Sequence, residues 1–416
     1  MKTIPLKLEI FRIYIRWLLW FIFLFPGIVF SQRENNNWYF GNQAGISFNS
    51  TPPTVLTNSS AVSWYETACE SDSAGNLLFY TNGVYIYNQN HLIMMNGYGF
   101  LGGSQAYQSL LVCQKPENDS IYYMFTAGNY SVTPHLPGMY YSQINIKLDN
   151  GLGGVVEGAN NLSVSGGEFV FDRIHATRHR NNQDIWVVTI DTLGNYLAFL
   201  VTKYGINPDP VISQSQMVNH SNDQNQGVLK LSQDGQKLVL VNFYDSLIEL
   251  SCFDNQTGMV YPSFTFSPVV NSERANLNYG AEFSPDAKFL YINATPNNGN
   301  KRIFQYETTY DDSVTFMQSQ VEIGTHLLGE GMQLGNDGKI YQSLRAMDSL
   351  NIIHTPNEKG TDCNFEPNAI SLQGHTCGIG LPQLLQRYKA YVHHSGRCRQ
   401  SPVAFSADIW PPADTT

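Results

Sequence analysis

The sequence predicts an all-β protein, a seven-bladed β-propeller closed by pairing of its N- and C-terminal strands. Three observations carry this. Amphipathic helical periodicity is nearly absent, while short β-branched and aromatic runs alternate with Gly, Asn and Asp. A strand–turn–strand unit recurs six times. Unmatched strand-like segments at the two ends supply the parts of one further unit.

The recurring unit reads ESDSAGNLLFYTNG (Glu70–Gly83), QKPENDSIYYMFTAG (Gln114–Gly128), RHRNNQDIWVVTID (Arg178–Asp191), KLSQDGQKLVLVNFY (Lys230–Tyr244), EFSPDAKFLYINA (Glu282–Ala294) and QLGNDGKIYQSL (Gln333–Leu344). Its turns centre near residues 75, 119, 183, 235, 287 and 338, so the last three steps are 52, 52 and 51. Asp-Gly-like pairs are strong hairpin signals because their turns need positive φ. A steady period with about four strands per repeat is the mark of a propeller. Each unit supplies two more strands, as in LIELSCFDNQTGMVYPSFTF after the fourth hairpin. At the start, NWYFGN, GISFN and TVLTN read as three strands lacking an opening one. Near the end, GIGLPQLLQ (Gly378–Gln386) resembles an opening strand with no hairpin after it. Three plus one make the seventh blade and remove the exposed sheet edges. Six blades is the alternative, because the step from 119 to 183 is irregular.

Composition narrows the function classes. Charged residues are 14% and aromatics 13%, which excludes a disordered chain. Lys+Arg 24 against Asp+Glu 34 gives net −10, which argues against nucleic-acid partners. Lys2, Lys7, Arg12 and Arg16 precede an apolar run, Trp17–Phe30, that is too short to span a bilayer. Residues 1–31 therefore read as a secretory signal peptide, cleaved after Ser31, and its removal leaves a net charge of −13 and no membrane span. Residues 32–391 are expected to form the propeller, and 392–416 a linker and the start of a truncated module. Six cysteines without a CxxC give no zinc spacing. Cys363 and Cys377 enclose a short loop and are the expected disulfide pair; Cys69 and Cys113 are pairing residues or buried thiols.

The strings WYFGNQAGISF, GNLLFYTNGVYIYNQNHLIMMNG, YGAEFSPDAKFLY, DGKIYQSL and GLPQ together resemble the propeller-like N-terminal regions of Bacteroidetes surface proteins. The resemblance spans about residues 36–387. It implies export by the type IX system, a secreted or outer-surface location, and company with PKD- or Ig-like modules and a sorting domain, the group often labelled gliding-motility-associated. CRQSPVAFSADIWPPADTT resembles the opening of a PKD-like module.

Candidate sites follow from residue chemistry. Glu66, Glu70, Glu168, Glu282 and Glu330 lie near opening strands, which line a propeller channel. Of these, Glu66, Glu282 and Glu330 are the channel carboxylates on which a glycosidase-type pair would rest; the alternative is that they bind backbone amides or water. His175 and His179 are about 13 Å apart along a strand, too far for one metal without a bulge. No nucleophile elbow is present. Asp254–Gly258 and Leu148–Gly151 carry fragments of a calcium loop, though turn chemistry explains them equally. Asp-Ser/Thr-apolar triplets place O-glycosylation candidates at Ser73, Ser120, Thr192, Ser246, Ser313 and Ser349, a pattern used by the resembled group and also generated freely by hairpin turns. Tyr98 and Tyr130 are loop aromatics suited to stacking on sugars.

The expected function is a non-catalytic recognition or scaffold module that binds an extracellular glycan or protein through loops on one face. The alternatives are an exported carbohydrate-active enzyme using channel carboxylates and a structural adhesin spacer. No cofactor is expected beyond the calcium alternative, and no catalytic or metal residue is assigned.

Overall fold

The computed structural model describes residues 33–101, 107–128, 138–217, 227–243, 245–296, 300–326 and 328–385, together with the strands Ala390–Ser395 and Ala404–Ile409 as backbone. Those last two form an antiparallel pair. The segment assigned above to a signal peptide, Tyr130 and Cys398 lie outside the described residues.

Seven antiparallel sheets form the blades. Their innermost strands, in chain order, are Thr67–Ser71, Leu110–Gln114, Val170–Arg178, Gly227–Leu231, Asn276–Phe283 and Gly329–Leu334 for blades one to six. Blade seven is the sheet of Asn37–Phe40, Ala44–Ser47 and Thr54–Leu56. Blades one and two fuse at their rims, where Gly154–Val155 pairs in parallel with Ile93–Tyr98. The irregular step in the repeat falls in blade two, whose third strand, Tyr140–Asn145, is followed by the two short rim strands Gly154–Val155 and Leu162–Ser163.

The apolar core confirms the count. It is divided into seven clusters, one per blade–blade interface: one–two around Phe79 and Tyr122, two–three around Phe125 and Phe199, three–four around Trp186 and Tyr196, and four–five around Leu290 and Tyr306. Tyr291 and Ile353 fill five–six, Trp38 and Tyr341 six–seven, and Tyr39 and Tyr80 seven–one. Seven blades with seven filled interfaces make a closed ring, so sheet twist is absorbed by rotation and no blade face stays wet.

Closure comes from the C-terminal segment. Gly378–Leu385 runs where an opening strand of blade seven was expected, beside Asn37–Phe40, but does not join that sheet. Its ladder runs sideways: Pro382 and Gln383 pair in parallel with Thr67 and Ala68 of blade one, leaving the blade-seven sheet with three strands. Inner strands of adjacent blades run parallel, so the segment meets blade one in the direction its chain path imposes. Gly331 N–H donates to the Ile379 carbonyl and Ile379 N–H to the Trp64 carbonyl. The side chains spread across the ring axis. Leu381 and Leu384 join the six–seven cluster with Trp38, whereas Leu385 joins the two–three cluster. The channel is therefore plugged.

Because the strands alternate in direction, loops joining first to second and third to fourth strands emerge on one face, termed here the hairpin face. Second-to-third and blade-to-blade connections emerge on the other, the crossover face. The first hairpins are loops of five or six residues rather than two-residue turns. Each has one residue at positive φ where the sequence placed its turn: Gly75, Glu117, Asn182, Gly235, Ala287 and Gly338. Side-chain oxygens take over the remaining backbone donors, as when Ser284 Oγ accepts from Phe289 N–H at 2.9 Å.

The expected disulfide is not formed. Cys363 and Cys377 are both free, buried thiols. Cys363 packs with Phe289 and Tyr291 between blades five and six, whereas Cys377 packs with Trp38 between six and seven. They occupy opposite faces of one sheet, and closeness in sequence does not carry a side chain through it. Burial raises Cys363 to about 11 and Cys377 to about 12.

Ala287 occupies a left-handed position at φ 54 that Gly235 fills with φ 62 one blade earlier. Ala287→Gly is expected to raise the unfolding free energy by about 1 kcal/mol, measured by urea denaturation.

Candidate functional site

The inner strands of blades three to six place one polar residue each in the channel, His175, Lys230, Glu282 and Gln333, and the plug adds Gln383. All are buried. Lys230 Nζ lies 3.4 Å from Glu282 Oε2 and donates to Gln333 Oε1 at 2.7 Å. Glu282 also accepts from Phe283 N–H at 3.0 Å and Leu334 N–H at 3.1 Å. Gln383 Nε2 donates to the Ile174 carbonyl at 2.9 Å, tying the plug to blade three. Burial and the neighbouring Lys230 hold the His175 imidazole well below its ordinary value, and Nδ1 accepts from Leu231 N–H.

Above this belt, toward the crossover face, stands Glu66. Tyr279 and Gln383 are its side-chain partners, and Lys230 is its counter-charge as well as that of Glu282. Its Oε2 is buried without a hydrogen bond. Burial drives its carboxyl up to about 8, against the pull of Lys230. Burial thus favours the protonated form of Glu66 beside the buried Lys230–Glu282 ion pair.

The upper end is capped by aromatic rings from four blades. Tyr65 precedes blade one, Tyr107 precedes blade two, Phe243 follows the second strand of blade four, and Tyr279 lies on the inner strand of blade five. Ring centroids are 4.7 Å apart for Tyr65–Tyr107, 6.0 Å for Tyr107–Phe243 and 5.9 Å for Phe243–Tyr279. Tyr65 and Tyr107 are hydrogen-bonded through their phenols, with Arg345 and Asp172 nearby, and burial lifts Tyr107 to about 12. Tyr279 Oη donates to the Tyr107 carbonyl at 2.9 Å. Around this cap, Val62, Trp64 and Met347 stay open, Trp64 at 51% exposure. They share one patch, because the Trp64 carbonyl accepts from Ile379 N–H and the Met347 carbonyl from Cys377 N–H.

The structure brings Glu66 and Glu282 together about Lys230, but it holds Glu330 apart in an ion pair with Lys301. Glu70 is buried, whereas Glu168 is exposed and accepts from Gly166 N–H on a loop, so it is not a channel residue. His175 faces the channel while His179 Nε2 pairs with the Gln256 carbonyl on the hairpin face. Among the described residues no group of three or more metal-ligating side chains converges. Asp254 is spent on its own turn, accepting from Gln256 N–H and Thr257 Oγ1. Leu148–Gly151 is likewise a closed turn, with Gly151 N–H donating to the Leu148 carbonyl.

Of the glycosylation candidates, Ser73 is exposed and Thr192 and Ser313 are half-buried. Ser120, Ser246 and Ser349 are buried, and the Ser120 and Ser349 hydroxyls bond Asn118 and Asn368, which leaves no room for a sugar. Tyr98 is exposed but sits on the outer strand of blade one, away from the cap. Tyr65 and Tyr107 escaped the sequence reading. Their signal was present, since each stands one residue before a polar residue that opens an inner strand (Tyr65-Glu66, Tyr107-Gln108).

No family model matches the chain, and no curated protein matches it. Solved structures similar to it include a Lactobacillus plantarum protein (13% identity, TM-score 0.49, covering 83% of this chain and 98% of that one). Pseudomonas aeruginosa periplasmic gluconolactonase is 11% identical with TM-score 0.49 and the same coverage, 83% and 98%. The β-propeller domain of Cps50 (Swd1) from Myceliophthora thermophila is 10% identical with TM-score 0.41, covering 75% and 93%. At these levels the likeness carries no functional argument.

Two outcomes follow for the channel. Lys230→Met leaves Glu282 buried without its counter-charge and is expected to cost about 3–5 kcal/mol in chemical denaturation. Glu66 has an ordinary value of 4.5 and a folded one of about 8, so folding takes up a proton between them. The stability that protonated Glu66 provides is present below pH 4.5 and is lost as pH rises toward 8. Glu66→Gln removes that dependence. Its stability relative to the parent is expected to climb from pH 5 to 8, by at most about 1.4 kcal/mol per pH unit, and then level off.

Proposed function

We propose that this protein is an exported recognition module that binds an extracellular glycan or protein on the crossover face, without turnover. The observation that carries the reading is the aromatic cap on the ring axis, rimmed by exposed Trp64 and Met347 and by the exposed Arg345. Trp, Tyr, Met and Arg are the residue types that supply most binding energy per side chain at interfaces. Export is supported by the basic leader and apolar run of residues 1–31. Ser73, Thr192 and Ser313 remain the positions where surface glycans fit.

The non-catalytic part of the reading draws on the plug. Glu282 is occupied by Lys230 and two backbone amides, Glu330 by Lys301, and Glu66 is closed off beneath Tyr279. A glycosidase-type pair needs two carboxyl groups opening on a shared sugar-sized space.

The test is capture of ligands from a glycan array and a panel of extracellular proteins. Trp64→Ala and Tyr107→Ala are expected to weaken binding on the order of 30-fold, about 2 kcal/mol each. Tyr204→Ala, on the hairpin face and 89% exposed, is expected to change nothing. Loss of binding in the Tyr204 variant alone contradicts the proposal. So does polysaccharide turnover that vanishes in Glu66→Gln or Glu282→Gln.

A further inference from the structure

The opposite face carries a separate feature, a cleft of about 650 Å3 between the first hairpins of blades two and three, floored by Ile185 and Leu385. Its size falls within the ~300–1,000 Å3 typical of small-molecule sites. Charge distinguishes it from the rest of an acidic molecule. The lining carboxylates are both satisfied from outside the cleft, Glu117 by Lys203 at 3.0 Å and Asp119 by Lys147 at 2.9 Å. The lining cations are Lys115 and Arg178. Lys115 makes no ion pair among the described residues, and Arg178 Nη1 donates to the Asn182 carbonyl at 3.4 Å. Four basic residues, Lys115, Lys147, Arg178 and Lys203, thus stand against three carboxylates, the paired Glu117 and Asp119 and the nearby Asp184, in a chain whose net charge is −10.

The neutral lining refines the ligand. Gln114 donates to the Asn118 carbonyl through Nε2, and its Oε1 meets no donor among the described residues. Asn118 is committed to its own turn, accepting from Ser120 and Ile121 N–H. Gln183 is exposed at the rim. An ammonium with an open side, free amide functions and an aliphatic floor match a compact ring bearing hydroxyls and one anionic group.

From this geometry we infer a second binding site, for an acidic saccharide of one or two rings carrying a carboxylate or a sulfate. Lys115 meets the anionic group, Gln114 and Gln183 take ring hydroxyls, and the floor of Ile185 and Leu385 receives the C–H face of the ring. The inference does not depend on the crossover-face reading, since no residue is shared between the two sites. Leu385 ends the axial plug, so an occupied cleft rests directly on the closing strand.

Calorimetry on the full chain tests it, with four probes: a dihexuronate, a sulfated disaccharide, the neutral parent disaccharide and inorganic sulfate. At least one acidic disaccharide is expected to bind with a Kd below about 1 mM, and the neutral disaccharide and inorganic sulfate at least tenfold more weakly. Which acidic disaccharide binds separates carboxylate from sulfate recognition. Lys115→Glu is expected to abolish binding, and Lys115→Gln, a milder change, to weaken it about tenfold with an unchanged melting temperature. Trp64→Ala is expected to leave it intact, so failure at the crossover face and failure here read separately. The inference is overturned if neither acidic disaccharide binds below about 10 mM, if inorganic sulfate binds as tightly as the saccharides, or if Lys115→Gln binds as the parent does.

Discussion

A ring of sheets has no edge only if its two ends meet, and here eight residues, Gly378–Leu385, make them meet. Their backbone bridges Gly331 of blade six to Trp64 and Thr67 at the start of blade one. Their side chains reach three blade interfaces, with Leu381 and Leu384 beside Trp38, Leu385 between blades two and three, and Ile379 against the four–five cluster. Without this segment the inner strand of blade one loses a hydrogen-bonded neighbour, and the channel opens to water. Loop-closure entropy is the opposing cost, because the paired residues Thr67 and Pro382 are separated by most of the chain. Seven filled interfaces offset that cost only when all are present, so the ring is expected to stand or fall cooperatively.

The plug also determines what the channel can do. In an open channel a buried lysine among carboxylates would be hydrated. Here Lys230 is shared by Glu66, Glu282 and Gln333, and Glu66 meets its share of the balance by holding a proton. The polar belt therefore acts as structure, a directional lock that aligns inner strands whose apolar faces alone would tolerate slippage. On the proposed reading, recognition is left to the two ends of the axis. The crossover face has aromatic rings over a protonated carboxyl, and the hairpin face has a basic cleft over Leu385.

Much of the architecture was legible in the chain. Turn positions were readable because Asp, Ser and Gly mark left-handed residues, and all six turns contain one; even Ala287 and Glu117, poor candidates for positive φ, obey the repeat. The orphan strands at the ends were readable because GIGLPQ copies the polar-then-apolar beat of the other inner strands. The direction of its ladder was not, because pairing partners depend on the path through space rather than on pattern. Cys363 and Cys377 failed for a related reason: neighbours in sequence lie on opposite faces of blade six. The carboxylates Glu66 and Glu282 were found from their position on inner strands, but their neutralisation by Lys230, a residue three blades from Glu66, depends on ring closure. The aromatic cap was missed since its members come from four blades and share no local motif. The hairpin-face cleft was missed because its charge balance rests on Lys147 and Lys203, which come from neighbouring hairpins.

The most direct measurement is residue-resolved amide hydrogen exchange under native conditions. The closing-segment account predicts that Ile379, Gln383 and Leu384 exchange as slowly as the inner-strand amides of Ala68 and Leu229. It also predicts that Leu384→Asp releases protection in blades one, six and seven together. Rapid exchange at residues 378–385 while the seven blades remain protected would show that the ring holds without its plug, and would contradict the account.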